Sequence, residues 1–228
     1  MKKHILIILI VSLLFVSCSP SRNTGIFHIN SDGSIVLNKA GTAEGDITVP
    51  STVGGQTVKA LHTAVFADCW KLRSVTLPDT ITKVGARAFY DCSSLTSVTL
   101  GKNVGEIGQE AFYGCKSLSS ITISDGVKTI EANTFHGCEA LKEVNLPENL
   151  ETVGTSAFEG CSILKSLTLP ESVTGIGEKA FRYCTELKEL RYNSTMAAWE
   201  NVDKADGWNS GSAITTVKCT DGDITIIE

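Results

Sequence analysis

Six cysteines recur at one interval: Cys69, Cys92, Cys115, Cys138, Cys161 and Cys184 are each 23 residues apart. Thiols at fixed spacing suggest a metal site, a disulfide ladder or a nucleophile. Zinc sites need close pairs such as C-x-x-C, and the sequence has none. One cysteine per long repeat instead puts one thiol in each structural unit, parallel to its neighbours. Parallel Cβ vectors at a strand-like pitch of ~4.8 Å do not make the usual disulfide approach. These six are therefore expected to be buried structural thiols. Nucleophile chemistry finds no partner: His28, His62 and His136 fall at three different repeat positions, and G-x-S-x-G and H-E-x-x-H are absent. Gly175-Ile176-Gly177-Glu178-Lys179-Ala180 matches G-x-G-x-x-A, but the repeat sets it there and no long helix follows. Asn30-Ser31-Asp32-Gly33 resembles the start of a calcium loop but lacks the closing Glu. Asp203, Asp206, Asp221 and Asp223 could in principle act as paired carboxylates, but they read as turn residues. The sequence thus implies no metal, no cofactor and no enzyme.

The elements that carry these cysteines come from the same count. Phe66, Phe89, Phe112, Phe135, Phe158 and Phe181 keep the 23-residue interval, as do Leu72, Leu95, Leu118, Leu141, Leu164 and Leu187. Val75, Val98, Ile121, Val144, Leu167 and Leu190 follow, then Ile81, Val104, Val127, Leu150 and Val173. A period between 20 and 50 residues marks a solenoid. The unit reads A-F-x-x-C-x-x-L-x-x-V-x-L-P-x-x-V-x-x-I-G. Its L-x-x-V-x-L core has strand alternation, and Pro78, Pro147 and Pro170 end the strand because they lack an N–H. The A-F-x-x-C stretch is expected to be one helical or 3-10 turn. Such a coil cannot bury its apolar side alone, so coils must stack and both ends need caps.

Five segments follow. Residues 1–17 read as a signal peptide, with Lys2 and Lys3 before the apolar run Ile5 to Val16, which is short for a membrane span. The run ends in Phe15-Val16-Ser17-Cys18, which resembles a bacterial lipobox with Phe where Leu is usual. Cys18 would carry the lipid that ties the chain to the membrane. Residues 18–24 are a polar tether. Residues 25–64 form an N-terminal cap, a hairpin around Asn30-Ser31-Asp32-Gly33 and a degenerate first coil. Residues 65–191 form the solenoid, and 192–228 a C-terminal cap with a short helix near Trp199 and a closing strand pair.

The repeat resembles the BspA-like leucine-rich repeats of bacterial surface proteins, over about Gly25 to Glu228. That resemblance implies a mostly β and irregular solenoid, one short strand per coil, and a secreted or cell-attached protein that binds a protein or glycoprotein. Ser19 after Cys18 favours the outer membrane, and leaves the surface and periplasmic faces both open. A periplasm-facing subunit of an outer-membrane complex is the second reading. With 20 Lys and Arg against 25 Asp and Glu, and no basic run, nucleic acid is a poor partner. The expected binding surface is the outward side of the strands: Ser74, Ser97, Ser120, Glu143, Ser166 and Glu189, and beside them Thr76, Thr99, Thr122, Asn145, Thr168 and Arg191. Oligomeric state and ligand identity are not written in these residues.

Overall fold

The structure is a computed structural model that describes residues 24–226. The signal peptide, Cys18 and all but the last residue of the tether lie outside them. The described chain winds into a solenoid of about eight turns with a period near 23 residues. One side carries parallel strands in register: Gly45–Thr48, Leu72–Thr76, Ser97–Thr99, Ser120–Thr122, Glu143–Asn145, Ser166–Leu169, Glu189–Tyr192 and Thr216–Lys218. Ser74 faces Ser97, Ser120 faces Glu143, and Ser166 faces Glu189, one coil on. The central apolar residue of each strand points inward, while most of its polar neighbours are exposed.

A second line of strands corrects the one-strand expectation. Two-residue strands such as Lys83–Val84, Glu106–Ile107, Thr129–Ile130 and Thr152–Val153 pair in parallel along another edge of the coils. The V-x-x-I spacing makes them, because the residue before the buried Val84, Ile107, Ile130 or Val153 turns outward.

The A-F-x-x-C segment is not helical either. Its backbone alternates between bonds inside the coil and bonds to the next one. Cys69 N–H donates to Phe66 O at 3.1 Å, whereas Phe66 N–H donates to Ala88 O and Asp68 N–H to Tyr90 O, both at 2.8 Å. Two left-handed residues per coil make this possible. The second stands just before the cysteine: Asp68 (φ 59°), Asp91 (51°), Gly114 (68°), Gly137 (70°), Gly160 (76°) and Tyr183 (59°). Helical φ would aim the N–H along the chain; left-handed φ turns it toward the neighbouring coil.

The core is a set of ladders. Six phenylalanines, each fully buried, stack with ring centroids 5.1–5.8 Å apart and planes within 4–14°. Different geometry closes both ends. Phe27 meets Phe66 edge-on at 6.1 Å, and Trp208 meets Phe181 edge-on at 5.9 Å. Phe27 comes from an antiparallel hairpin, Phe27–Ile29 with Ser34–Leu37, whose turn is held by Ser34 N–H donating to Asp32 Oδ1. At the other end Trp199 is buried between Tyr192 and Trp208. It lies on the helix Met196–Glu200, where the Thr195 hydroxyl accepts from Ala198 N–H at 3.1 Å and caps the first turn. Asp221 accepts from Met196 N–H at 2.8 Å, fixing the turn between the last two strands to that helix. No described helix is long and apolar enough to cross a membrane.

Candidate binding face and the cysteine ladder

The cysteines do structural work that spacing alone did not reveal. Each ladder thiol from Cys92 to Cys184 donates to the carbonyl of the preceding coil's phenylalanine: Cys92 to Phe66 O at 3.0 Å, Cys138 to Phe112 O at 3.2 Å, Cys184 to Phe158 O at 3.1 Å. That carbonyl already accepts from the cysteine N–H of its own coil. The column thus needs a small apolar side chain with one donor, which is what a protonated thiol is. Burial holds the protons on: the Cys115, Cys138 and Cys161 thiols sit far above their ordinary range, and Cys184 is pushed up to about 12. All seven described cysteines are free thiols. No described group of three or more His, Cys, Asp or Glu could hold a metal ion.

The strand side carries the expected surface. Thr76, Ser97, Thr99, Ser120, Thr122, Glu143, Asn145, Ser166, Thr168 and Arg191 are exposed, and Ser74 and Glu189 are half-buried. The rows interact along the axis. Asn145 Nδ2 donates to Thr122 Oγ1 at 3.3 Å and to Glu143 Oε1 at 3.1 Å. Ser74 donates to Asp46, and Glu189 pairs with Lys218 at 3.2 Å and Arg191 at 3.9 Å. Thus the two ends of the face are satisfied by charge contacts, while its middle presents hydroxyls.

The face is not a continuous sheet. Ladder pairing is interrupted between Ser97–Thr99 and Ser120–Thr122, and again between Glu143–Asn145 and Ser166–Leu169. At those coils Leu100 and Leu146 are only partly buried, whereas Leu77, Ile123 and Leu169 are buried. A concavity lies over each break. The larger, about 750 Å³, is floored by Ser97, Thr99, Ser120 and Thr122, with Glu143 and Asn145 at one end. The smaller, about 210 Å³, continues from Asn145 to Thr168 and Asn193. Six of the twelve expected surface residues thus meet in one trough.

The rim of that trough was missed in the sequence reading. Asp79, Lys102 and Asp125 stand 23 residues apart just past the strands and line the larger concavity, and Glu148 continues their column into the smaller one. Lys102 bonds Asp79 through both its ammonium, at 2.9 Å, and its backbone N–H, which hold the Asp79 carboxyl below its usual range. The period already in hand would have found this column; the apolar rows drew the attention instead.

The turn side differs. Tyr90, Tyr113 and His136 stack on one another at 4.8 and 4.6 Å. His136 then lies 3.8 Å from Glu159, which meets Arg182 at 3.6 Å. Trp70 is 60% exposed, with the Lys71 ammonium over its ring.

A stack of short parallel strands with ladders of Leu, Phe and Cys defines a leucine-rich repeat solenoid. The chain belongs to the family described as the BspA type leucine rich repeat region, whose model matches six copies over residues 56–200. A leucine rich cell surface protein from Faecalibacterium prausnitzii is 30% identical with a TM-score of 0.54, over 73% of this chain and 52% of that one. A leucine-rich repeat protein from Eubacterium ventriosum is 25% identical with a TM-score of 0.67, over 90% of this chain and 56% of that one. The chain therefore spans little more than half the length of these relatives. No curated protein matches it.

Proposed function

We propose that this chain is a non-catalytic, lipid-anchored module of the cell envelope, which takes a protein or glycoprotein partner on its strand face and displays that face outside the cell. The observation that carries the proposal is the trough over the interrupted ladder, where hydroxyls of Ser97, Thr99, Ser120 and Thr122 adjoin Glu143 and Asn145. Polar side chains at a concavity on a rigid scaffold can form many weak contacts with one partner. The family and the fold are generally non-catalytic. The ladder thiols support the same reading, because buried, protonated sulfur is inert as a nucleophile. The Faecalibacterium relative, described as a cell surface protein, supports outward display. The lipid anchor rests on Cys18 and the apolar run before it.

Two experiments test this. Protease shaving of intact cells, read by mass spectrometry against a protected periplasmic marker, should release peptides between Arg22 and Glu228. Full protection would move the chain to the periplasmic side and favour the envelope-subunit reading. Changing Glu143, Asn145 and Arg191 together to Ala should weaken binding of cells to immobilised host-matrix glycoproteins while leaving Tm nearly unchanged. Equal binding by the variant would mean that the strand face is the wrong surface.

A further inference from the structure

Charges on this solenoid mostly alternate from coil to coil; among the like-charged exceptions, which include Asp68 beside Asp91 and Arg191 beside Lys218, two runs extend over three coils. Where a charged residue has a charged equivalent one coil away, the two are usually opposite and in contact. Lys83 meets Glu106 at 2.7 Å, Arg87 meets Glu110 at 2.7 Å, Lys102 meets Asp79 at 2.9 Å, Lys116 meets Glu139 at 3.2 Å and Lys128 meets Glu151 at 2.6 Å. Each pair is separated by one period. Alternation is what stacked side chains about 4.8 Å apart favour, since like charges directly opposite are destabilising.

Lys142, Lys165 and Lys188 also stand one period apart, but all three are positive. Each is exposed and has no ion pair among the described residues. Asp125, Glu148 and Glu171 continue the column that begins with Asp79 and Lys102, and from Asp125 on it is acidic in three successive coils, each residue exposed and without an ion pair among the described residues. The lysines stand where the chain enters the strands Glu143–Asn145, Ser166–Leu169 and Glu189–Tyr192; the acids stand just after the strands end. The two runs are offset by one coil; in the two coils that carry both, Lys142 with Glu148 and Lys165 with Glu171, six positions of chain separate them, at most about 20 Å. They border the strand face from opposite sides. A sequence keeps a locally unfavourable pattern where function requires it.

We infer that these columns are two recognition rails, and that the partner is a folded protein whose surface carries an acidic strip and a basic strip side by side. The inference rests on the strand-face reading and decides between protein and glycan within it. The rails lie at opposite ends of the strands, one before each strand begins and one after it ends, so each meets its own part of the partner. An acidic glycan or nucleic acid would match the lysines and be repelled along Asp125, Glu148 and Glu171. A uniformly basic ligand would meet the converse. Only a polypeptide surface readily presents both signs, with groups between them to meet the Ser166 and Thr168 hydroxyls. Lysine, a flexible point charge, suits carboxylates held by another protein without demanding a planar fork.

The test uses Lys165→Glu and Glu148→Lys, each of which restores alternation in its rail. At low salt each should raise Tm by about 1–2 °C, as new cross-coil pairs replace repulsion, and the gain should fade in high salt. Two labelled probes report the rails: an octa-aspartate peptide and an octa-lysine peptide. Lys165→Glu should weaken octa-aspartate binding about tenfold and leave octa-lysine unchanged, and Glu148→Lys should do the reverse. No rise in Tm for either variant would remove the argument that the pattern is retained at a cost. Dextran sulfate binding that Lys165→Glu abolishes, together with no octa-lysine binding, would assign the face to an acidic glycan and overturn the protein assignment. A low-salt dimer that either variant dissociates and the double variant restores would make the occupant a second copy of this chain. Loss of glycoprotein binding in the Glu143, Asn145 and Arg191 variant but not in the rail variants would leave the strand face standing and remove the rails.

Discussion

On the turn side of each coil the same contacts recur almost unchanged: a stacked Phe, a thiol bonded to the previous coil's carbonyl, and a left-handed residue that turns an N–H toward the next coil. On the strand side the inward Val, Ile and Leu recur, but the outward residues drift from Ser and Thr in the early coils to Glu, Asn and Arg in the later ones. The difference follows from what each position touches. A fully buried ring has neighbours on both faces and admits no other shape. A side chain pointing away from a strand meets mainly water, so it is free to answer to a partner. The turn side therefore specifies the solenoid, and under the proposed function the strand side specifies what it recognises.

The largest expected effect lies on the turn side and follows from pH. The Cys92, Cys115, Cys138, Cys161 and Cys184 thiols have folded pKa values raised above their unfolded range, chiefly by burial. Above that unfolded range the native state binds more protons than the unfolded one, so stability falls as pH rises. Each thiol contributes about 1.4 kcal/mol per pH unit until its folded pKa is reached. Below about pH 8 the contribution is fully present. Denaturant titrations should show a steep, cooperative loss of stability beginning near pH 9. A flat profile to pH 11 would break the contrast between the two sides.

Next comes packing. Phe112→Ala removes the middle of the ring stack and should cost about 3–5 kcal/mol. Thr122→Ala on the strand face should cost under about 0.5 kcal/mol. Urea midpoints compare the two directly, and similar losses would contradict the division of labour. Gly137→Ala is a finer probe. Its φ is 70°, and added Cβ would meet only the neighbouring Gly114 backbone at 3.9 Å, so the cost should be the backbone's alone, about 1 kcal/mol. The cap gives a similarly small effect: Thr195→Ala should cost about 1 kcal/mol or less, read as a small Tm shift with the solenoid's circular dichroism unchanged.

Much of this was legible in the sequence, for a physical reason. A solenoid writes each contact once per period, so Phe66 to Phe181 and Cys69 to Cys184 announce a core without any knowledge of the turn between them. The hairpin at Asn30-Ser31-Asp32-Gly33 and the short helix near Trp199 were equally plain, since both depend on local side-chain-to-backbone bonds. The left-handed turn was not. Asp68, Asp91 and Tyr183 adopt a conformation that Gly usually marks, so residue type alone left a helical turn open. The second strand line was hidden because its strands are two residues long, too short for alternation to register. The trough was hidden because it depends on where ladder pairing lapses, and nothing in Leu100 or Leu146 distinguishes them from Leu77 or Leu169.

The central claim is that the strand side meets the partner while the turn side only holds the coils. Photo-crosslinking in intact cells tests it most directly, with a photoreactive residue placed singly at Thr122 on the strand face or at Tyr113 on the turn side. The account predicts that Thr122 yields a discrete higher-mass adduct and that Tyr113 yields none, at equal levels of the two proteins. An adduct at Tyr113 with none at Thr122 would contradict it and move recognition to the stacked rings.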